Sequence, residues 1–180
     1  MTVLETDRLT LRPTHPDLFD GIWTAVQSSL PELERWMHWA IEPDPDRTRE
    51  YIAHAVTEWD SGHERHFTLV HDGEVCGACS LDHPDLLFAR YEIGYWMRSD
   101  LCGRGLMTEA ARAVVDFGFD QLKAHRIELH AGTGNRPSNR VAEKLGFTRE
   151  GLLREASRGK DGFHDVYVYG LLATDRSPAS

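Results

Sequence analysis

Residues 103–108 read Gly-Arg-Gly-Leu-Met-Thr and turn an extended aromatic run, Tyr91 to Met97, into an amphipathic helix. Gly103 and Gly105 admit backbone conformations closed to other residues, so the chain can bend sharply and let a ligand close to its main chain. Behind them, Leu106, Ala110, Val114 and Phe117 recur at helical spacing, a stripe that needs burial. A helix N-terminus presents unpaired N–H groups and a partial positive charge, and Arg104 adds a cation. Such a turn suits a diphosphate. A plain glycine turn before a helix reads the same way. The spacing Gly103-x-Gly105-x-x-Thr108 also invites a dinucleotide reading, with Glu128 standing 23 residues after Gly105. Against it, Thr108 replaces a third glycine, and the preceding strands have short or irregular connections.

Around this turn the chain predicts a mixed set of elements. Leu9 to Arg12 alternates and ends at Pro13, a first strand. Helices are expected over Pro16–Ser29, over Leu30–His38, and from a cap at Asp46 to a stop at Gly62. His66–His71 and Glu74–Leu81 are extended runs joined at Asp72-Gly73, a hairpin signal. The helix from Leu106 should run to about Leu122, followed by a strand at Arg126–Ala131. A helix over Asn135–Leu145 stops at Gly146. Thr148–Ser157 and Asp165–Leu172 form a last extended pair. The order is that of a mixed sheet with helices on its faces, an α+β fold.

At 180 residues the chain suits one domain, expected over 1–175, with 176–180 as a flexible tail. The net charge of −9 argues against nucleic-acid or anionic-membrane partners. No apolar run reaches the roughly 18 residues of a membrane span, and no secretory signal opens the chain; the expected compartment is the cytoplasm. Cys76-Gly-Ala-Cys79 has CxxC form but lies in an extended run without a second ligand pair, so it reads as structural and no metal is expected.

A second informative block is Asn135-Arg-Pro-Ser-Asn-Arg-Val-Ala-Glu-Lys-Leu-Gly-Phe147. Asn135 follows a strand end, where its amide can meet a peptide-like group; it is also an ideal helix N-cap. Ser138 lies in the first turn of that helix.

With these blocks in view, the chain resembles the GNAT N-acetyltransferase superfamily, in particular the bacterial Rim-type branch that acetylates ribosomal-protein N-termini. The resemblance covers nearly the whole chain. It is carried by Glu5-Thr-Asp-Arg-Leu-Thr-Leu-Arg12, Ser29 to Trp39, Glu92-Ile-Gly-Tyr-Trp96, Gly103 to Ala110, Asn135 to Phe147, Glu150 to Arg154 and His164 to Tyr169. It implies a central sheet of six to seven strands, splayed between the fourth and fifth, Tyr91–Met97 and Arg126–Ala131. Acetyl-CoA would lie in that opening. The main chain of Tyr95, Trp96 and Met97 would pair with the pantetheine. Leu101, Cys102, Gly103, Arg104, Gly105, Leu106 and Met107 would hold the pyrophosphate, Asn135 the pantetheine arm, and Arg140 or Lys144 the CoA phosphates. Two departures stand out. Asp100 occupies a loop position where Arg or Gln is common, so its side chain should point outward. Ala142 stands where many members carry the Tyr that protonates the leaving thiolate, which makes Ser138 the leading replacement.

Amine acetylation needs a neutral amine, an oriented thioester and a proton for the thiolate. Candidate bases are His130, Glu128 and Glu92, acting directly or through a water. Alternation puts Arg126, Glu128 and His130 on one face. Trp36, Trp39 and Trp96 can line an acceptor groove, although aromatics at helical spacing also serve as core. The expected function is acetyl-CoA-dependent N-acetylation of a primary amine, foremost a protein N-terminus. The alternatives are a small amine such as a polyamine, antibiotic or aminoacyl compound, and a CoA-binding module without turnover. Specificity should reside in Leu30–Asp46, Asp82–Ala89 and Ala156–Phe163. The last β pair can support a homodimer.

Overall fold

The computed structural model describes residues 2–176; of the tail expected at 176–180, residues 177–180 lie outside them. Eight strands form one sheet in the order β1-β2-β3-β4-β5-β6-β8-β7. They are β1 (Leu4–Glu5), β2 (Thr10–Pro13), β3 (Arg65–His71), β4 (Glu74–Asp85), β5 (Arg90–Met97), β6 (Arg126–Gly132), β7 (Thr148–Gly159) and β8 (Gly162–Leu172). The count exceeds the expected six to seven because β1, two residues long, is too short to show a period-2 pattern. The predicted splay consequently falls between the fifth and sixth strands.

The Asp72-Gly73 hairpin closes β3 onto β4 with both turn residues in the left-handed region, φ 50° and 81°, as a two-residue hairpin turn requires. Helices α1 (Phe19–Gln27), α2 (Leu30–Trp36) and α3 (Pro45–Ser61) enclose a cluster of Leu18, Ile22, Val26, Leu33, Ala40 and Ile52 on one face of the sheet. Helix α3 is capped by Asp44, whose carboxylate accepts from Asp46 N–H at 2.8 Å. The sequence reading placed the cap at Asp46. Pro45 takes the first helical position, where a missing N–H costs nothing, and that moves the cap back one residue beyond it. Gly62 ends the helix at φ 85° as expected.

The other face carries α4 (Leu106–Asp120) and α5 (Arg136–Lys144). Leu106, Ala110, Val114 and Phe117 are all buried there, in the larger core that also holds Phe67, Leu69, Leu81, Ile127 and Leu129. The predicted acceptor loop 156–163 is mostly strand: β7 and β8 pair out to Arg158↔Phe163 and Gly159↔Gly162. Likewise β4 runs on to Asp85, which pairs with Arg90, so only a tip remains of the loop expected at 82–89. No described helix is long and apolar enough to cross a membrane.

Candidate active site

Strands β5 and β6 are the parallel pair, and they part early. Arg90, Tyr91 and Glu92 pair with Arg126, Ile127 and Glu128, and there the ladder between them stops. Beyond that point β5 stays bonded to β4 through Met97, while β6 stays bonded to β8 through Gly132. The backbone of Ile93 to Met97 therefore has a free edge facing the gap, where an extended amide-bearing ligand can bond as a strand would.

Alternation along β5 distributes side chains to the two faces. Glu92 and Trp96 face the α1–α3 side, where Trp96 packs on the smaller cluster. Tyr95 faces the α4–α5 side and packs on the main core. The Tyr95 hydroxyl meets Ser138 Oγ at 3.0 Å. Burial pushes its phenol well above the ordinary range, so it stays protonated and can donate. Sequence reasoning assigned Tyr95 a main-chain role only. Its odd position on β5, opposite in face to Glu92, was the available signal for a side chain reaching α5. The anticipated tyrosine position, Ala142, is fully buried and inert.

Asn135 caps α5: its Oδ1 accepts from Ser138 N–H at 3.2 Å, which seats Ser138 at the gap. That leaves the Asn135 amide NH2 for another partner. Asn139, which the sequence reading passed over, fixes the same helix. Its amide donates to Gly132 O at 3.0 Å and its Oδ1 accepts from Tyr169 at 2.7 Å.

Across the opening stand the acid–imidazole candidates. His130 Nδ1 lies 3.5 Å from Glu92 Oε1, and its Nε2 lies 3.7 Å from Glu128 Oε2. Both are ion-pair distances, too long for good hydrogen bonds. Glu128 is already engaged, accepting from Arg126 Nε at 2.8 Å. Glu92 has no guanidinium partner among the described residues. Burial raises its carboxyl pKa, and the nearby His130 offsets this in part. Glu92, Tyr95, His130, Asn135 and Ser138 all border one cleft of about 790 Å³. Trp36, Trp39 and Trp96 line it too. The Trp36 ring lies against Gly132 and Gly134, where added Cβ atoms would come within 3.2 Å of it. Trp39, 44% exposed, meets Trp96 edge-on at 6.0 Å.

The glycine loop lies at the other end of β5. Gly103 and Gly105 take φ 79° and 82°, and α4 begins at Gly105 without a side-chain cap. Its first-turn N–H groups are thus available to an anion. Cys102, Gly103 and Arg104 are exposed. Met97, Leu101 and Leu106 are buried and offer only main chain; Met107 is half-buried. The loop is braced from outside. Glu109 accepts from Thr6 Oγ1 at 2.7 Å, Arg8 N–H at 2.9 Å and Arg8 Nε at 2.7 Å, while Arg8 Nη1 donates to Arg104 O at 3.0 Å. These bonds hold the carboxyl pKa of Glu109 down against the opposing effect of burial. Asp100 points outward onto Arg98, as expected. Arg140 pairs with Glu143 at 2.8 Å on the exposed side of α5. Lys144, with Gly105, Thr108 and Arg112, borders a shallow groove beside the loop.

Cys76 and Cys79 are free and buried, and burial raises the Cys76 thiol to about 11, so neither is a reactive thiolate. Among the described residues, one group is compact enough to hold a metal ion: His54, Glu64 and His66. Glu64 Oε2 already lies 3.3 Å and 2.8 Å from the two imidazoles.

Comparison with known proteins agrees with this fold. The model of the acetyltransferase (GNAT) domain matches residues 8–148. A putative ribosomal N-acetyltransferase of Bacillus subtilis, YdaF, is 29% identical over 92% of this chain and 92% of its own. The ribosomal-protein-serine acetyltransferase of Escherichia coli is 27% identical over 78% and 79%. Among solved structures, RimL, a ribosomal α-N-protein acetyltransferase in complex with coenzyme A, superposes with a TM-score of 0.91 over 97% of this chain and all of that one; at 20% identity that likeness is one of fold. By the domain match and the architecture together, the chain belongs to the GNAT acetyltransferase family.

Proposed function

We propose that this N-acetyltransferase moves the acetyl group of acetyl-CoA to a primary amine, foremost the N-terminal α-amine of a protein of the ribosomal kind. The observation that carries the reading is the parting of β5 from β6, with proton-handling groups on both sides of it. Glu92 and His130 lie toward the α1–α3 face, and the Ser138–Tyr95 pair lies toward α5.

In this reading the free edge of Tyr95, Trp96 and Met97 bonds the pantetheine arm. The N–H groups of residues 101–107 hold the pyrophosphate, and the Asn135 amide orients the arm. Glu92 takes the proton of the incoming ammonium, with His130 supporting it or passing the proton on. An N-terminal amine has a pKa near 8, so a weak base suffices. The bare amine attacks the thioester carbon, the C–S bond breaks, the nitrogen loses its second proton to the base, and Ser138 gives the departing sulfur a proton that solvent replaces through Tyr95. The main contribution of the site is to hold amine and carbonyl in contact.

A second reading, a small cationic amine as acceptor, draws on the lining of the cleft. Asp44, Glu64, Asp82 and Glu92 border it against a single Arg47. Thiol release is measured with acetyl-CoA and a panel of N-terminal peptides and polyamines. The reading expects saturable turnover with one class; coenzyme A binding with no turnover on any amine leaves the non-catalytic module in its place.

The proposal extends to a homodimer. Edge strand β7 is exposed along most of its length and carries exposed Leu152 and Leu153. Sedimentation equilibrium is expected to give twice the chain mass, and Leu152→Lys to halve it.

A further inference from the structure

Glu92 does not stand alone on the floor of the cleft. Register places Asp82 of β4 directly opposite it and Glu128 of β6 on its other side. Side chains so opposed share a face, with Cβ atoms about 4.5–5.5 Å apart in the antiparallel pair. Three carboxyls thus lie in one row across three strands. Like charges in such a row need a counter-charge or a shared proton. Glu128 has its counter-charges, Arg126 Nε at 2.8 Å and Arg90 Nη1 at 3.7 Å. Asp82 has no ion-pair partner among the described residues, and its side chain accepts only from the Ser80 hydroxyl, at 2.8 Å.

The other titratable groups facing the pair are His66, Glu64 and His83 near Asp82, Tyr51 from α3, and His130 from β6. None of these carries a permanent positive charge; Arg47 of α3 is the one guanidinium that borders the same cleft. Gly94, next on this face of β5, leaves the way open: a Cβ there would sit 3.2 Å from Ser80 Oγ and 3.5 Å from Asp82 Oδ2. A second sign of an incomplete polar wall is His66. It borders the same cleft, is 5% exposed, and its Nδ1 is buried without a partner.

We propose that Asp82 and Glu92 together seat the ammonium of the acceptor, so that Asp82 is a specificity-determining residue selecting amines that arrive as cations. The inference rests on the amine-acetylation reading above. The ammonium gives one proton to the Glu92 carboxylate. Its nitrogen lone pair then forms the C–N bond as the C–S bond breaks. Glu92 passes that proton to solvent and takes the second one from the nitrogen as the amide forms, while sulfur takes a proton from Ser138, whose hydroxyl is restored from solvent through Tyr95; one proton is released overall. Asp82 takes no proton in this sequence; it is the counter-charge that holds the cation before transfer. Burial lifts both carboxyls above their usual range, and a cation seated between them offsets that cost by its charge.

The test uses Asp82→Asn and Asp82→Glu in the full chain, with acceptor and acetyl-CoA varied separately and kcat/KM followed against pH. The Asn variant is expected to raise acceptor KM about tenfold, as loss of a charge-assisted contact does, with acetyl-CoA KM unchanged. Its acid limb should move to lower pH, because removing a neighbouring negative charge lets Glu92 ionise more readily. The Glu variant should restore both. An Asn variant with acceptor KM and acid limb at wild-type values overturns the inference while leaving amine acetylation standing, as does equal damage to both substrates in both variants. A wild-type protein that acetylates no amine removes both.

Discussion

At the scale of single residues, the proposed mechanism pairs an acid helper, Ser138, with a base, Glu92, across the opening in the sheet. Ser138→Ala removes the donor nearest the gap, and kcat should fall by about tenfold to a hundredfold, at the low end for general acid catalysis because a thiolate is a good leaving group. Tyr95→Phe should cost less, since Ser138 can still donate and lose only its supply. Steady-state kinetics at saturating acceptor checks both. Glu92 makes a sharper prediction, because its burial opposes its own charge. A carboxyl whose folded pKa is raised contributes stability that is present below the unfolded value and lost as pH rises through the folded one. Glu92→Gln removes that loss. The variant should therefore melt a few degrees higher than wild type at pH 7.5 and equal to it below pH 4, while losing most of its activity. Calorimetric melting at the two pH values measures the first effect. An equal or lower Tm at pH 7.5 would deny that the site stores an unfavourable charge for use in proton transfer.

At the scale of elements, the glycine loop shows why a motif can be legible while its support is not. Gly103, Gly105 and the apolar stripe of α4 announce their conformations, since few residues tolerate positive φ and the stripe has one period. Nothing in the spacing of Thr6, Arg8 and Glu109 announces that they meet across some hundred residues. Their likeness to a family block marked them, but only the fold shows that they brace the loop. The same divide runs through the rest of the chain. Gly62, Gly146 and the Asp72-Gly73 hairpin were readable because backbone geometry selects the residue. The cap of α3 was misplaced by two positions because Asp44 and Asp46 cap equally well until Pro45 is taken into account. The bond from Tyr95 to Ser138 depends on where α5 docks, which no local pattern carries. Arg8→Ala should therefore loosen the loop without touching the acceptor side: acetyl-CoA KM is expected to rise several-fold while acceptor KM stays within twofold. Glu109→Gln should do the same and lower stability by about 1–2 kcal/mol at neutral pH, as the loss of charged hydrogen bonds does. Because the Glu109 carboxyl pKa is held down in the folded state, its contribution is present above the unfolded value and disappears as pH falls through the folded one. Denaturant melts at pH 7.5 and pH 3 give that difference directly.

At the scale of the whole molecule, the proposed reaction brings two substrates of opposite charge to one acidic protein. The net charge of −9 repels an anionic nucleotide thioester and attracts an ammonium. The sheet resolves the conflict by direction. The cleft on the α1–α3 side gathers Asp44, Glu64, Asp82 and Glu92. Exposed Arg104 and Lys144, together with Arg112, stand by the glycine loop. Local fields thus favour each substrate at its own entrance, but the long-range field favours only the cation. Salt screens the long-range field first, with a Debye length of about 10 Å at 0.1 M. Raising ionic strength from about 20 mM to 300 mM should consequently raise acceptor KM, as attraction is lost, while acetyl-CoA KM stays flat or falls, as overall repulsion and loop attraction are screened together. Both are read from initial rates with the other substrate saturating. A rise in both constants of equal size would mean that charge does not sort the two entrances, and that shape alone decides which substrate enters from which face of the parted strands.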